Sequence, residues 1–428
     1  MSFNLGNKLL EIKFVTYLIG KGANGLIYFL SIPIFIKFCG IELYGNYVFI
    51  YTAFLMSNSI GTGWISQSDL KFSSKFDQKH SFLKYYNTVI KITNINAAVV
   101  SLIFILVIFF SGSQLNTSIL VGFCCFLSIK YSVKLVFNQS LLNSRIYVFS
   151  ELIRMLIYVI IPYLFFLFNV KTLQLEVLLM SLLLSYLIGI TFLNFNIKND
   201  VITSKDSFSP YQSKKVFFTF ISYGLPLSIW MFLSPSSNGV DRFLIKYFIG
   251  FTALAEYSAF YDVVTKIYLQ IAQPLGKSAQ PILMNSFNKR NFELFNKTLK
   301  KSVLLLTMAF IVLGSVIYIF KDFIITDYLG FKSEKTISIL SSISVPLVFS
   351  AYMWQVSIML QKIIEARKKT ALLAGYILLT AIVSTLLSIL FLPKYGYKAS
   401  AYIMVFGSFL YFSMVSIKLI SLNRNENK

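Results

Sequence analysis

The chain has 428 residues, of which 56% are hydrophobic and only 13% charged. That is a membrane composition, and it excludes an ordinary soluble domain. The formal net charge of +22 resembles a nucleic-acid signature. However, the lysines and arginines sit at the ends of apolar segments and in short gaps, where they set topology and meet anionic lipid, so nucleic acid is excluded as a partner.

Twelve apolar stretches follow in chain order: 13–38, 44–65, 84–110, 115–137, 146–168, 173–195, 214–248, 252–283, 299–320, 336–361, 370–392 and 397–420. Stretches of roughly 20 apolar residues are long enough to cross a bilayer as helices. The first is too long for a signal-peptide core and shows no evident cleavage site, so it is read as a retained helix. Basic residues alternate from gap to gap. Lys71, Lys75, Lys79 and Lys84 follow the second stretch, and Lys198, Lys205, Lys214 and Lys215 follow the sixth. Lys289, Arg290, Lys297, Lys300 and Lys301 follow the eighth, and Lys362, Arg367, Lys368 and Lys369 the tenth. The gaps at 39–43, 111–114 and 249–251 carry no Lys or Arg, while the gap after 320 is mixed. By the positive-inside rule the basic gaps are cytoplasmic, which places both termini in the cytoplasm.

The chain reads as a duplication. Gly40-Ile-Glu-Leu-Tyr-Gly45-Asn-Tyr47 matches Gly250-Phe-Thr-Ala-Leu-Ala255-Glu-Tyr257 in spacing, at an offset of 210 residues. Each follows a similar run, Phe35-Ile36-Lys37-Phe38 and Leu244-Ile245-Lys246-Tyr247. Gln139 to Arg145 and Gln361 to Arg367 repeat at an offset of 222 residues. The expectation is an all-α integral membrane protein of about 12 helices in two pseudo-symmetric six-helix lobes. The N-terminal lobe covers 1–200, a cytoplasmic linker 201–215, and the C-terminal lobe 216–428. An even number of helices per lobe makes the repeats parallel, related by an axis along the membrane normal. Transporters built this way place their sites at the repeat interface.

A charge in mid-helix costs about 2.5–3.5 kcal/mol on insertion scales, so each is a candidate site. Lys21 lies about two turns into the first stretch, within Gly20-Lys21-Gly22-Ala23-Asn24-Gly25, and Asn24 falls one turn beyond it. Its depth favours a cavity over snorkelling to the interface. Lys91 and Lys130 stand equally as cavity residues or inner-leaflet anchors, and for Lys134 anchoring is favoured. In the second lobe Arg242 and Lys266 are further cargo candidates, while Asp241, Glu256 and Asp262 are candidates for ion coupling. Asp262 and Lys266 are spaced to pair with each other, as are Glu151 and Arg154, for which pairing is the better reading. Pro33, Pro226 and Pro235 mark kinks or hinges.

Several chemistries have no motif here. There is no phosphate loop, H-E-x-x-H or G-x-S-x-G pattern. His80, the only histidine, lies in a polar gap, and Cys39, Cys124 and Cys125 have neither metal nor disulfide spacing. No cofactor, metal or enzyme activity is expected.

Three stretches carry a family resemblance. They are Pro33-Ile-Phe-Ile-Lys-Phe-Cys-Gly40-Ile-Glu-Leu-Tyr-Gly45-Asn-Tyr47, then Tyr223-Gly224-Leu-Pro226 with Asp241-Arg242-Phe-Leu-Ile-Lys-Tyr-Phe-Ile-Gly250 and Ala255-Glu-Tyr257, and finally Leu392-Pro-Lys-Tyr-Gly396. In order and spacing the chain resembles the Wzx-type O-antigen flippases, polysaccharide transporters of the multidrug/oligosaccharidyl-lipid/polysaccharide (MOP) exporter superfamily. One departure is Ala255, where that family often has Gly.

The resemblance implies a V of two lobes around a central cavity in the bacterial inner membrane. It implies an undecaprenyl-pyrophosphate-linked oligosaccharide as cargo, flipped for O-antigen and lipopolysaccharide biosynthesis. The polymerase and chain-length regulator of the same pathway, and membrane lipids, are then the expected partners. A cationic cavity suits an anionic pyrophosphate through charge-assisted hydrogen bonds. Lys21 and Arg242 are the first choices for cargo contact. A drug exporter of the superfamily, a flippase for peptidoglycan precursor and an O-antigen polymerase are the rival readings. Buried lysines argue against the first, twelve rather than more helices against the second, and the short gap at 321–335 against the third.

Overall fold

The computed structural model describes residues 2–73, 79–140, 144–168, 174–196, 209–236, 239–288, 290–367 and 369–426. Helices and their connecting turns make up all of the described residues, with no strand among them. In a bilayer, only helices or closed barrels satisfy every backbone N–H and C=O without water. Among the described residues, ten helical stretches are long and apolar enough to cross a membrane. One of these, Gly22–Asp69, is broken at Gly40, whose φ of 76° and ψ of 169° lie outside any helix. It therefore supplies two crossings. The Phe251–Asn288 helix has 38 residues, about 57 Å at the α-helical rise, and carries Glu256, Asp262 and Lys266 in place of a purely apolar run. With it the expected twelve segments are accounted for.

One expected segment differs. The stretch 214–248 forms two helices, Pro210–Ser236 and Val240–Phe248, rather than one continuous kinked helix. Pro235 and Gly239 fall at this break, and both residue types weaken a helix interior.

The chain forms two compact units. The first takes the residues up to Leu43 and Ile50–Phe232, and the second takes Tyr44–Phe49 and the residues from Leu233 onward. The division thus falls inside the Pro210–Ser236 helix. In the first unit Lys79–Phe110 pairs with Leu115–Ser140, and Ser144–Leu167 pairs with Gln174–Asn196. The second unit repeats the pattern, pairing Phe251–Asn288 with Phe292–Phe323 and Thr370–Tyr395 with Lys398–Glu426. The Glu334–Leu360 helix packs on both the first and the last of these. Turn glycines repeat as well. Gly40 and Gly250 take φ of 76° and 115°, and Gly112 and Gly330 take 95° and 79°.

Helices in lipid gain little from burying apolar surface, so close backbone approach through small residues matters more. In the first unit, a methyl added at Gly122 would overlap Ile105, and one at Gly224 would overlap the Trp64 carbonyl. A methyl at Gly45, in the second unit, would overlap the Phe251 carbonyl. The polarity is that of a membrane protein. Ile95, Leu102, Ile103 and Phe110 are exposed on one helix, and Ile311, Val312 and Ile319 on another, while many serines and threonines are buried. The buried hydroxyls mostly return a hydrogen bond to the carbonyl three or four residues back, as Thr93 does to Val89 and Ser357 to Met353.

Candidate functional site

Among the described residues, the densest set of buried charges lies in the second unit, where the short Val240–Phe248 helix packs on Phe251–Asn288. Asp241 and Arg242 are adjacent on the first helix and both are buried. On the second helix, Tyr257, Tyr261 and Thr265 recur every four residues beside Asp262 and Lys266, so one side of it is polar along three turns.

The geometry there is a ladder. Arg242 Nη2 donates to Asp262 Oδ1 at 2.7 Å, and the guanidinium lies over the Tyr261 ring at 5.3 Å. Lys266 Nζ stands 3.4 Å from Asp262 Oδ2, the i,i+4 pair expected. Asp241 accepts from the Tyr257 hydroxyl at 2.8 Å and from the Arg242 backbone N–H at 2.8 Å. A buried ion pair repays its desolvation only with good geometry and further hydrogen bonds, so such a ladder is weak evidence for stability alone. Exposure separates the two cations. The Lys266 side chain is 35% exposed and that of Arg242 10%, so Lys266 has the freer reach toward a bound group.

Glu256 is held differently. It accepts from Thr336 at 2.9 Å and from Tyr397 at 2.9 Å, which tie two helices and the turn before Lys398–Glu426 together. A small cavity with many hydroxyl groups in its lining lies beside Asp241. It is lined by Thr380, Ser384, Thr385, Ser388 and Ser400 among others. The Ser400 hydroxyl is buried without a hydrogen-bond partner. Thr380, Ser384 and Ser388 recur at every fourth residue, a spacing visible in the sequence that points all three to one helix face.

The first unit holds its charges in other ways. Glu151 and Arg154 pair at 3.1 Å, as their spacing indicated. The pair is enclosed by aromatics: Tyr131 donates to Glu151 at 2.7 Å, and the guanidinium lies over the Tyr131 and Tyr186 rings at 5.6 and 5.0 Å. Lys134 donates to Asn194, and Lys130 lies over the Phe126 ring at 5.0 Å. Lys91 is exposed, and Asn24 is half-buried with its Oδ1 enclosed and unpartnered. The side chain of Lys21 lies outside the described residues, as do Lys75, Lys198, Lys205, Lys289 and Lys368. The structure thus brings Asp241, Arg242, Asp262 and Lys266 together, while Glu256, the residue just before Asp241's partner Tyr257, has a separate set of contacts.

Sequence reasoning passed over Asp69. It is fully buried and accepts from Tyr85 at 2.8 Å. Its one sequence signal is that it is an acidic residue at the edge of a basic gap.

Fold and buried charge together define a multi-pass, all-helical membrane protein built twice over. Residues 13–287 match the model of the polysaccharide biosynthesis protein family, and the chain belongs to that family. No curated protein matches it in sequence. Among solved structures it is similar to an inward-facing multidrug resistance MATE family transporter of the MOP superfamily, at TM-score 0.73 and 15% identity over 94% of this chain and 96% of that one. It is also similar to the lipid II flippase MurJ in an inward closed conformation, at TM-score 0.68 and 16% identity over 95% of this chain and 87% of that one. A MOP superfamily transporter from Pyrococcus furiosus is a third, at TM-score 0.65 and 13% identity over 97% of this chain and 96% of that one. At these identities the likeness is one of fold.

Proposed function

We propose that this protein is a flippase that moves undecaprenyl-pyrophosphate-linked oligosaccharide repeat units, for O-antigen or a related surface polysaccharide, from the cytoplasmic to the outer leaflet of a bacterial inner membrane. It works by alternating access, with both termini cytoplasmic and with lobes 1–200 and 216–428 as the moving bodies. It is not an enzyme. The cargo is anionic at the pyrophosphate, polar at the glycan and apolar at the tail, so the path needs cations and hydroxyls while the tail stays in lipid.

The observation that carries this reading is the Arg242–Asp262–Lys266 ladder on two helices of a polysaccharide biosynthesis protein. Ionisable groups kept at such cost inside membrane helices mark substrate and ion pathways. Lys266, partly exposed, and Lys21 are the leading cargo contacts, with Asn24, Lys91, Lys130 and Arg242 as further ones. Arg242 serves chiefly by orienting Asp262. Of the coupling candidates Asp241, Glu256 and Asp262, Asp241 has the strongest case because it lines the hydroxyl-rich cavity.

Deletion in the native host, followed by extraction of lipid-linked glycans, tests the reading. Single undecaprenyl-linked units should accumulate inside with none at the surface. Single units reaching the surface without being built into chains would instead mark a polymerase.

A further inference from the structure

Asp69 plays no part in the ladder, yet its setting is unusual. Among the described residues it is the only carboxyl group with an enclosed oxygen, Oδ2, that meets no hydrogen-bond donor. The other oxygen accepts from Tyr85 at 2.8 Å. Tyr85 is itself fully buried in a cluster with Trp64, Ile65 and Phe220. The Phe220 ring lies 6.3 Å from that of Tyr85 and 6.2 Å from that of Phe72.

The described side chains packed around Tyr85 are apolar or aromatic. The Lys79–Phe110 helix presents Tyr85 and Tyr86, and Leu115–Ser140 presents Val133 and Phe137. The Pro210–Ser236 helix presents Phe220, with Tyr223 against Phe72 at 5.5 Å. No described Lys or Arg forms an ion pair with Asp69. A lone carboxylate in such surroundings costs several kcal/mol, whereas a neutral acid costs far less. Ser66, one turn earlier on the same helix, also has an enclosed and unpartnered oxygen. A proton on Oδ2 supplies a donor to that side of the helix and removes the charge. A metal cation does not fit, because hard cations gather six or more oxygens and the walls here are aromatic.

A helix covers the same site. The Pro210–Ser236 helix lies on it, with Ser68 donating to the Phe220 carbonyl at 3.1 Å and Gly224 against the Trp64 backbone. We infer that Asp69 is a proton-binding site of the first unit. Its carboxyl is neutral while Phe220 covers it, and it releases the proton to water when that helix lifts. Its coupling to transport rests on the flippase reading, whereas its protonation does not.

Infrared spectroscopy of the full-length protein in lipid vesicles tests the protonation first. The wild-type minus Asp69→Asn difference at neutral pH should contain a protonated-carboxyl carbonyl band. Tyr85→Phe should shift that band to higher frequency, and Asp69→Glu should retain it at a changed frequency. A difference spectrum with only carboxylate bands overturns the assignment. Flipping of a lipid-linked oligosaccharide in the same vesicles then tests the coupling. An imposed proton gradient should speed the wild type several-fold and leave Asp69→Asn at its gradient-free rate. A variant that keeps the full response overturns the coupling. A wild type that flips no lipid-linked glycan overturns the flippase reading while leaving the infrared result intact.

Discussion

Arg242 and Asp262, twenty positions apart on consecutive helices, close a 2.7 Å Nη2–Oδ1 bond with both side chains nearly enclosed. Lys266 approaches the other Asp262 oxygen at 3.4 Å, so one carboxylate serves two cations. The asymmetry matters, because removing the shared anion strands two charges and removing either cation strands none completely.

The pair therefore predicts unequal costs. Breaking a buried pair costs about 3–5 kcal/mol. Asp262→Leu should fall at the upper end and Arg242→Met at the lower end, since Lys266 still faces Asp262. The double substitution Arg242→Met with Asp262→Leu should recover much of the loss. Thermal unfolding in detergent measures this, and a double variant as unstable as the sum of the single ones would show that the two side chains are not coupled.

Lys266 carries the functional side of the same ladder. Replacing it with Met should cut flipping at least about tenfold, equivalent to ~1.4 kcal/mol, while Lys266→Arg keeps a charge and retains a measurable share. Stability should change far less than for Asp262→Leu. Unchanged surface polysaccharide in Lys266→Met cells would remove this residue from the cargo path.

Helix approach predicts a contrast between two glycines. Gly224→Ala places a methyl on the Trp64 carbonyl, so the backbone must move and expression and flipping should drop. At Gly375 an added methyl meets nothing within 4 Å, and Ala there should be neutral or stabilising by up to about 1 kcal/mol. Equal outcomes for the two would show that the Pro210–Ser236 helix does not depend on this approach.

The Glu151–Arg154 pair predicts a structural effect alone. Tyr131→Phe removes the hydroxyl that donates to Glu151 at 2.7 Å and should cost about 1–2 kcal/mol of stability. The flipping rate per folded molecule should be unchanged. A turnover defect in well-folded Tyr131→Phe protein would mean that the pair takes part in transport.

Much of the fold is legible in the sequence because both its signals are local. Apolar length marks the crossings, and the motif shared by Gly40 and Gly250 marks the duplication. In the structure those two glycines take the same positive-φ role at a helix break. The break near Pro235 and Gly239 has a signal that the expected single segment 214–248 passed over, the polar turn-forming run Ser234-Pro-Ser-Ser-Asn-Gly239, because an average over apolar length ignores backbone propensity. At the site, i,i+4 spacing identified Asp262 with Lys266, and i,i+3 spacing Glu151 with Arg154. Arg242 with Asp262 depends on how two helices meet, which spacing does not encode. The neutral partners were missed for the same reason. Tyr257, Tyr397 and Tyr131 look like ordinary membrane aromatics until a carboxylate is found at their hydroxyls. Asp69 was hidden among the lysines of a basic gap, since its partner Tyr85 lies sixteen positions away across a helical hairpin.

The most direct test of the central claim is reconstitution of the purified protein into vesicles that carry a fluorescent undecaprenyl-pyrophosphate-linked oligosaccharide in both leaflets. A membrane-impermeant reagent then bleaches the label on the outer face. The account predicts that the protected inner fraction becomes accessible in vesicles with wild-type protein and stays protected in empty vesicles and in those with Lys266→Met. Protection identical in wild-type and empty vesicles would contradict it.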